Sequence, residues 1–341
     1  MKRIKIAVVG AGAIGGVIAG FIAKAGYNVV AVCKHRDLAA RIRSGGLVIS
    51  GVKGYHKAVM PAVATTRDLT EKMDIIFLTT KAYDMLDAAE ELKPLLKSSS
   101  AVVSVQNGMA AEDLVPVIGR ERIVGCVVGF GAIMREPGVV EMSSGGEFII
   151  GSLNGMAAEK LLEVKKILSA VTTVRISDNI RGNLYAKLIV NSAINSLGAI
   201  TGLTLGRMLR IKKIRNIFLG VADEAMVVAK GMGLNVETGI RNLNYYKTLD
   251  AMGPPGRFMK DIFIRVLGVK YRNLKSSSLQ SLERGRQTEI DFLNGYIAKN
   301  GRMYNVPTPL NDKIIKIVKE IESRKRRIGL RNLDDLFFAG F

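Results

Sequence analysis

Short apolar runs alternate with amphipathic stretches through the first half of the chain. Residues 4–9 form a β-branched run that predicts a buried strand, and residues 13–25 carry helical spacing closed by Gly26. Residues 28–33 predict a second strand, after which Asp37 is placed to cap a helix through Arg43. Further strands are predicted at 74–79, 101–105 and 123–128, with helical stretches separating the first three of these strand segments. Between 130 and 150, glycines and the shorter pieces 138–142 and 147–150 predict hairpins at one edge of the same sheet, and a helix near 157–169 and a strand near 171–176 close the pattern. Strands alternating with helices imply a mainly parallel sheet covered on both faces, an α/β domain.

Beyond Asp178 the pattern changes. Residues 184–200, 216–231 and 277–299 have helical apolar spacing with no clear strands between them, so a second, all-α domain is expected. The expected boundaries are 1–178, 179–322 and a basic C-terminal extension, 323–341, holding Arg324-Lys325-Arg326-Arg327 and an apolar end with Leu336, Phe337 and Phe338. This last stretch reads as a tail or an interface arm.

Composition narrows the function. The chain has 341 residues, enough for two domains, and 48% hydrophobic with 23% charged residues excludes a disordered chain. A formal charge of +20 points to anionic partners, and fourteen Lys and Arg against five acids fall within residues 207–275. The absence of tryptophan and 6% aromatics leave few stacking platforms, which argues against a nucleic-acid partner. The uncharged run from Ile6 to Ala23 has the length of a membrane segment, but Gly10, Gly12, Gly15, Gly16 and Gly20 crowd it, and no other stretch suits a bilayer. Cys33 and Cys126 lack disulfide or metal-ligand spacing, so the expectation is a soluble cytoplasmic protein with no metal.

Gly10-Ala11-Gly12-Ala13-Ile14-Gly15 fits the GxGxxG pattern directly after a strand and at the start of a helix. There the first glycine makes a tight turn, the second lets a pyrophosphate approach the backbone, and the third allows close helix packing. The domain is thus read as Rossmann-type. After the second strand stand Cys33-Lys34-His35-Arg36 rather than an acid, so Lys34 and Arg36 suit a 2′-phosphate and favour NADP(H). Lys81 and Asn107 follow two later strands, where loops face the cofactor; either residue could equally be a turn or cap.

Lys187, Asn191 and Asn195 recur at i, i+4 and i+8 and share one face of an otherwise apolar helix, which should line a cleft. Two amides hold a carboxylate or hydroxyl, and a partly desolvated lysine can give up a proton near neutral pH. Ser277, Ser278, Gln280, Glu289 and Asp291 form a second polar set. Spacing alone leaves Glu289 equally able to meet Lys187 or to pair at the surface with Arg284 or Arg286.

Together these segments resemble the ketopantoate reductase family over nearly the whole chain up to about Glu322. The resemblance rests on the glycine loop, Lys81-Ala82, Gln106-Asn107-Gly108, Leu184-Tyr185-Ala186-Lys187-Leu188 with Asn191 and Asn195, and Ser276 to Gln280 followed by Arg286-Gln287-Thr288-Glu289-Ile290-Asp291 and Asn294-Gly295. It implies a helical domain like the C-terminal domain of 6-phosphogluconate dehydrogenase, a homodimer, and NADPH-dependent reduction of 2-dehydropantoate, a small 2-oxo acid, to (R)-pantoate. It implies Lys187 as proton donor and Glu289 as a carboxylate near the substrate hydroxyl and the cofactor. Asn107, Asn191, Asn195 and Ser277 become substrate contacts, with Asn107 also touching the cofactor and Ala132 near the nicotinamide. Ser278 and Ser281 stand where family members commonly carry Met and Asp, and Lys34 matches the family's cofactor-selecting arginine.

Overall fold

The computed structural model describes residues 4–153, 155–237, 259, 265, 272 and 274–336. Much of the basic segment 207–275 and the phenylalanines at 337 and 338 thus lie outside the described residues. The chain divides into two compact units, Met1–Ile180 and Arg181–Phe341.

In the first unit the elements run β1 (Lys5–Val9), α1 (Ala13–Lys24), β2 (Asn28–Val32), α2 (Arg36–Gly45), β3 (Leu47–Gly51), β4 (His56–Ala58), β5 (Ala62–Val63), β6 (Met73–Leu78), α3 (Met85–Leu92) and β7 (Leu96–Ser104). They continue with α4 (Ala110–Asp113), α5 (Val115–Ile118), β8 (Ile123–Val128), β9 (Gly131–Glu136), β10 (Val139–Ser144), β11 (Phe148–Ser152), α6 (Ala158–Leu168) and β12 (Val174–Ile176). Eight strands pair in the order β12-β11-β8-β7-β6-β1-β2-β5. All neighbours are parallel except β11 and β8. Strands β1, β6 and β8 are buried almost throughout, as expected of central parallel strands rich in Val and Ile.

Of the two pieces expected in hairpins at the sheet edge, 147–150 falls on β11, antiparallel to β8 beside the edge strand β12, whereas 138–142 leaves this sheet. β9 and β10 form an antiparallel pair in a separate four-stranded sheet, β4-β3-β10-β9, in which β10 also runs parallel to β3. The smaller sheet covers α1. A Cβ on Gly16 would sit 3.0 Å from Val140, and one on Gly20 would overlap Ile49, so these glycines let the sheet approach the helix. This accounts for the membrane-like composition of α1, whose residues from Gly15 to Ile22 are all buried. The β3 and β4 strands escaped the sequence reading because they are short and end in Ser, Gly and polar turns.

Two local expectations also change. Helix α2 starts at Arg36, with His35 at the N-cap, so Asp37 stands in the first turn near the helix dipole instead of capping it. β12 begins at Val174, because Val171 and Thr172 still belong to the turn closing α6.

The second unit is helical: α7 (Ile180–Thr201, whose first residue belongs to the first unit), α8 (Leu205–Arg210), α9 (Lys212–Gly231), α10 (Ser277–Glu283), α11 (Asn294–Met303) and α12 (Pro309–Glu322). The predicted continuous helix at 277–299 is broken. Gly285, at φ +64°, ends α10, and a 3-10 turn at Ile290–Phe292 precedes α11. Helices α7, α8, α9 and α12 share one apolar core. The carboxylate of Glu224 on α9 accepts from the backbone N–H groups of Leu310 (2.8 Å) and Asn311 (3.0 Å), capping α12 from a neighbouring helix.

Residues 323–336 fold onto this core. Leu333 and Leu336, on a 3-10 turn at Leu330–Leu336, are buried in it. The carbonyl of Ile200, in the last turn of α7, accepts from Gly329 N (3.0 Å) and Asn332 Nδ2 (3.1 Å). Arg326 is tied to Glu320 and Asp335.

Candidate functional site

The glycine loop joins β1 to α1. Gly10 adopts φ +99°, the region that favours glycine, and a Cβ there would stand 2.7 Å from Thr80 N. A Cβ on Gly15 would overlap the Gly10 carbonyl oxygen and the Thr79 hydroxyl, whereas one on Gly12 would meet only Gly10 O at 3.8 Å. Two glycines therefore serve internal packing, and Gly12 faces open space. Gly10 N and Ala11 N are bonded to Val32 O, and no side chain caps α1. The first-turn N–H groups of Ala13, Ile14 and Gly15 have no acceptor within the helix and point to where a pyrophosphate would sit. The loop fits a dinucleotide by its backbone alone.

Behind the loop lies a polar layer that the glycine pattern does not reveal. Thr79 Oγ1 donates to Val9 O or Gly10 O, at 2.9 and 2.8 Å. Gln106, buried at the end of β7, has its Nε2 against Leu78 O (2.9 Å) and Thr80 O (3.3 Å), while its Oε1 accepts from Ser104 Oγ (2.8 Å). The signal was a run of polar residues at the carboxyl ends of buried strands. Lys81, the N-cap of a 3-10 turn at Ala82–Asp84, and Asn107 follow these anchored positions, and both are partly buried.

Lys34 is exposed just past β2 and pairs with Asp84 at 2.9 Å. A cofactor 2′-phosphate would compete with that carboxylate. Arg36 is exposed in the first turn of α2. Ala132 lies on β9, opposite Met142 in the smaller sheet. Cys33 is buried beside these residues, and burial pushes its thiol up to about 11, leaving it unreactive at neutral pH.

In the helical unit Lys187, Asn191 and Asn195 lie on α7, the first two partly buried and Asn195 buried. Asn195 Oδ1 accepts from both Ser277 N (3.2 Å) and Ser277 Oγ (3.0 Å). Ser276 caps α10 by accepting from Leu279 N, and a Cβ on Gly198 would overlap its side chain. The start of α10 is thereby fixed to the polar face of α7. Asn195 spends its oxygen on Ser277, which leaves its Nδ2 to meet an anionic or carbonyl ligand.

Glu289 is 6% exposed. Arg284 and Arg286, the two arginines that spacing allows as its surface partners, are both exposed. The Glu289 backbone opens the 3-10 turn, accepting from Phe292 N and Leu293 N. Flanking anchors hold it: Thr288 N and Oγ1 both donate to Glu322 Oε1 at 2.7 Å, and Asp291 pairs with Lys319 at 2.5 Å. The break in the predicted helix is what brings Glu289 inside.

Comparison with known proteins identifies the family and the fold. Residues 6–155 match the family described as Ketopantoate reductase PanE/ApbA, and residues 179–322 match its C-terminal family. The chain is 34% identical to the 2-dehydropantoate 2-reductase of Pyrococcus horikoshii over 94% of this chain and 98% of that one. It is 28% identical to that of Archaeoglobus fulgidus over 95% and 99%. Among solved structures, the PanE/ApbA family ketopantoate reductase from Ralstonia eutropha JMP134 superposes with a TM-score of 0.80 at 28% identity, covering 95% of this chain and 100% of that chain. A D-mandelate dehydrogenase shares the fold with a TM-score of 0.81 at 22% identity, covering 94% and 99%. With both units matched and relatives aligned from end to end, the chain belongs to the ketopantoate reductase family of oxidoreductases.

Proposed function

We propose that this protein reduces 2-dehydropantoate to (R)-pantoate with NADPH. The observation that carries the reading is the α7 face, where Lys187 and Asn191 stand two turns and one turn from an Asn195 whose oxygen is locked by Ser277. When bound, the dinucleotide supplies a hydride to the C2 carbonyl carbon.

The glycine loop holds the pyrophosphate through the N–H groups of α1, with Lys81 and Asn107 at its flank. Lys34 and Arg36 provide the cations for a 2′-phosphate, and Ala132 borders the nicotinamide. Asn191, Asn195 Nδ2 and Ser277 hold the carboxylate and hydroxyl of the oxo acid, and Asn107 meets both ligands. Lys187 donates its proton to the C2 oxygen as negative charge develops there, and its charge stabilises that oxygen beforehand. Glu289 supports the substrate hydroxyl from its buried position. We further propose that the protein acts as a cytoplasmic homodimer, which light scattering checks.

The test is oxidation of NADPH, with NADH in parallel, on adding 2-dehydropantoate to the purified protein. Rapid turnover with NADPH supports the reading. No turnover despite tight NADPH binding would instead favour another 2-oxo acid, a reading motivated by Ser278 and Ser281 on α10, where serines replace the family's usual pair.

A further inference from the structure

We infer that Gln106 is a positioning residue that sets the affinity for the dinucleotide without touching it. The inference rests on the reading that the glycine loop holds that cofactor. In the β6–β7 ladder, the last backbone bond runs from Val105 N to Leu78 O at 3.0 Å. Beyond it the two strands separate into their loops, and the Thr80 carbonyl is left past the end of the ladder. The side chain of Gln106 takes the place of the next rung. Its amide hydrogens reach Leu78 O at 2.9 Å, Thr80 O at 3.3 Å and Thr80 Oγ1 at 3.4 Å.

The orientation of that amide is dictated by its surroundings. Two backbone carbonyls can only accept, so the NH2 group must face them, and the oxygen must face the Ser104 hydroxyl, which donates at 2.8 Å. Gln106 is 6% exposed, so no solvent replaces these bonds if the side chain is lost.

What Gln106 fixes is the wall against which the glycine loop is built. Thr80 N and the Thr79 carbonyl carbon crowd the space beside Gly10, and Thr79 Oγ1 is bonded to the Gly10 carbonyl. Lys81 follows Thr80, and Asn107 follows Gln106. One amide thus sets the spacing of three loops at the carboxyl ends of β1, β6 and β7. Releasing it lets Thr80 move, and the phosphate-facing N–H groups lose their registry with Lys81 and Asn107.

The test uses the full chain with Gln106→Leu and Gln106→Glu. It reads NADPH dissociation constants by nucleotide fluorescence, kcat and KM under saturating partner substrate, and the thermal midpoint of the ligand-free protein. Gln106→Leu is expected to weaken NADPH binding by about tenfold or more, with kcat changed less than about threefold. Gln106→Glu places a carboxylate against two carbonyls, so its binding is weak at neutral pH. It recovers as the pH falls and the protonated acid regains a donor, a recovery that a merely structural role would not produce.

Binding within twofold of wild type by folded Gln106→Leu, or no acid recovery in Gln106→Glu, would overturn the inference. If Gln106→Leu does not fold, Thr79→Val, which replaces the hydroxyl shared between Val9 O and Gly10 O with a methyl, must weaken NADPH binding at least about twofold for the inference to stand. Wild-type protein that binds neither NADPH nor NADH would sink the functional reading itself, an outcome distinct from a variant that binds normally.

Discussion

The two units build their polar surfaces from different materials. In the first, the candidate site is backbone: Gly12 faces open space, Gly10 and Gly15 are constrained by what a methyl group would strike, and helix N–H groups supply the donors. In the second it is side chains, with Asn195 holding Ser277 and with Thr288 and Asp291 anchoring the turn that carries Glu289. A site made of backbone is marked in the sequence by its glycines, even though the wall they pack against, Thr79 and Thr80, comes from another strand. A site made of side chains depends on partners far along the chain, here Ser277 for Asn195 and Glu322 for Thr288.

The comparison is broken most directly at Lys187. Lys187→Ala is expected to lower kcat by about 10²- to 10⁴-fold with the fold intact, and a loss of only two- or threefold in turnover would remove the proton-donor role. Next is Gly15→Ala, whose methyl would be driven into the Gly10 carbonyl. NADPH affinity should fall at least about tenfold, and overpacking should cost about 1–3 kcal/mol in thermal or denaturant unfolding. Unchanged nucleotide binding would mean that the loop tolerates a side chain and that the backbone account is wrong.

Asn195→Ala should act on the other side. It leaves the Ser277 N–H and hydroxyl without their acceptor, so KM for the oxo acid should rise about tenfold while NADPH binding stays near wild type. Equal losses of both affinities would show that the two surfaces are not separable.

The smallest effects concern pH, and here the units have opposite signs. Burial raises the Glu224 carboxyl above its ordinary value, more than its bonds to Leu310, Asn311 and the Asn311 side chain lower it. The folded state therefore binds its proton more tightly than the unfolded state. Stability from this group is fully present below the ordinary carboxylate value and is lost as pH rises through the folded one. Asp74 is the reverse: burial pushes its carboxyl up, but hydrogen bonds from Lys97 and the Lys5 backbone and the charge of Lys97 bring it lower overall. Its contribution is present above the ordinary value and is lost as pH falls through the folded one. Thermal midpoints across mildly acidic pH should show Glu224→Gln flattening a decline toward neutrality and Asp74→Asn flattening a decline toward acid. Identical profiles for the two variants would contradict both assignments.

Most of the first unit was legible because its strands are continuous apolar runs and its loop glycines are spaced by a strict steric rule. The smaller sheet was not, because β3 and β10 pair across almost a hundred residues of sequence and neither announces the other. Lys34 looked available for a phosphate since nothing near it in sequence reveals Asp84, fifty positions on. On α7 the i, i+4, i+8 stripe was visible, yet which group each amide meets was decided by α10. Glu289 was ambiguous for the same reason: helical spacing continues smoothly through 277–299, and only Gly285 hints at the break that turns the acid inward.

The segment after Glu322 acts on the far end of the helix that carries the candidate proton donor. It lies past the family match, yet it closes the end of α7 through Asn332 and Gly329 and brings Arg326 and Asp335 to pair with each other. Two bonds from beyond the family match thus hold the carbonyl at the end of the helix bearing Lys187, while neither of them touches that helix's polar face at Lys187, Asn191 or Asn195.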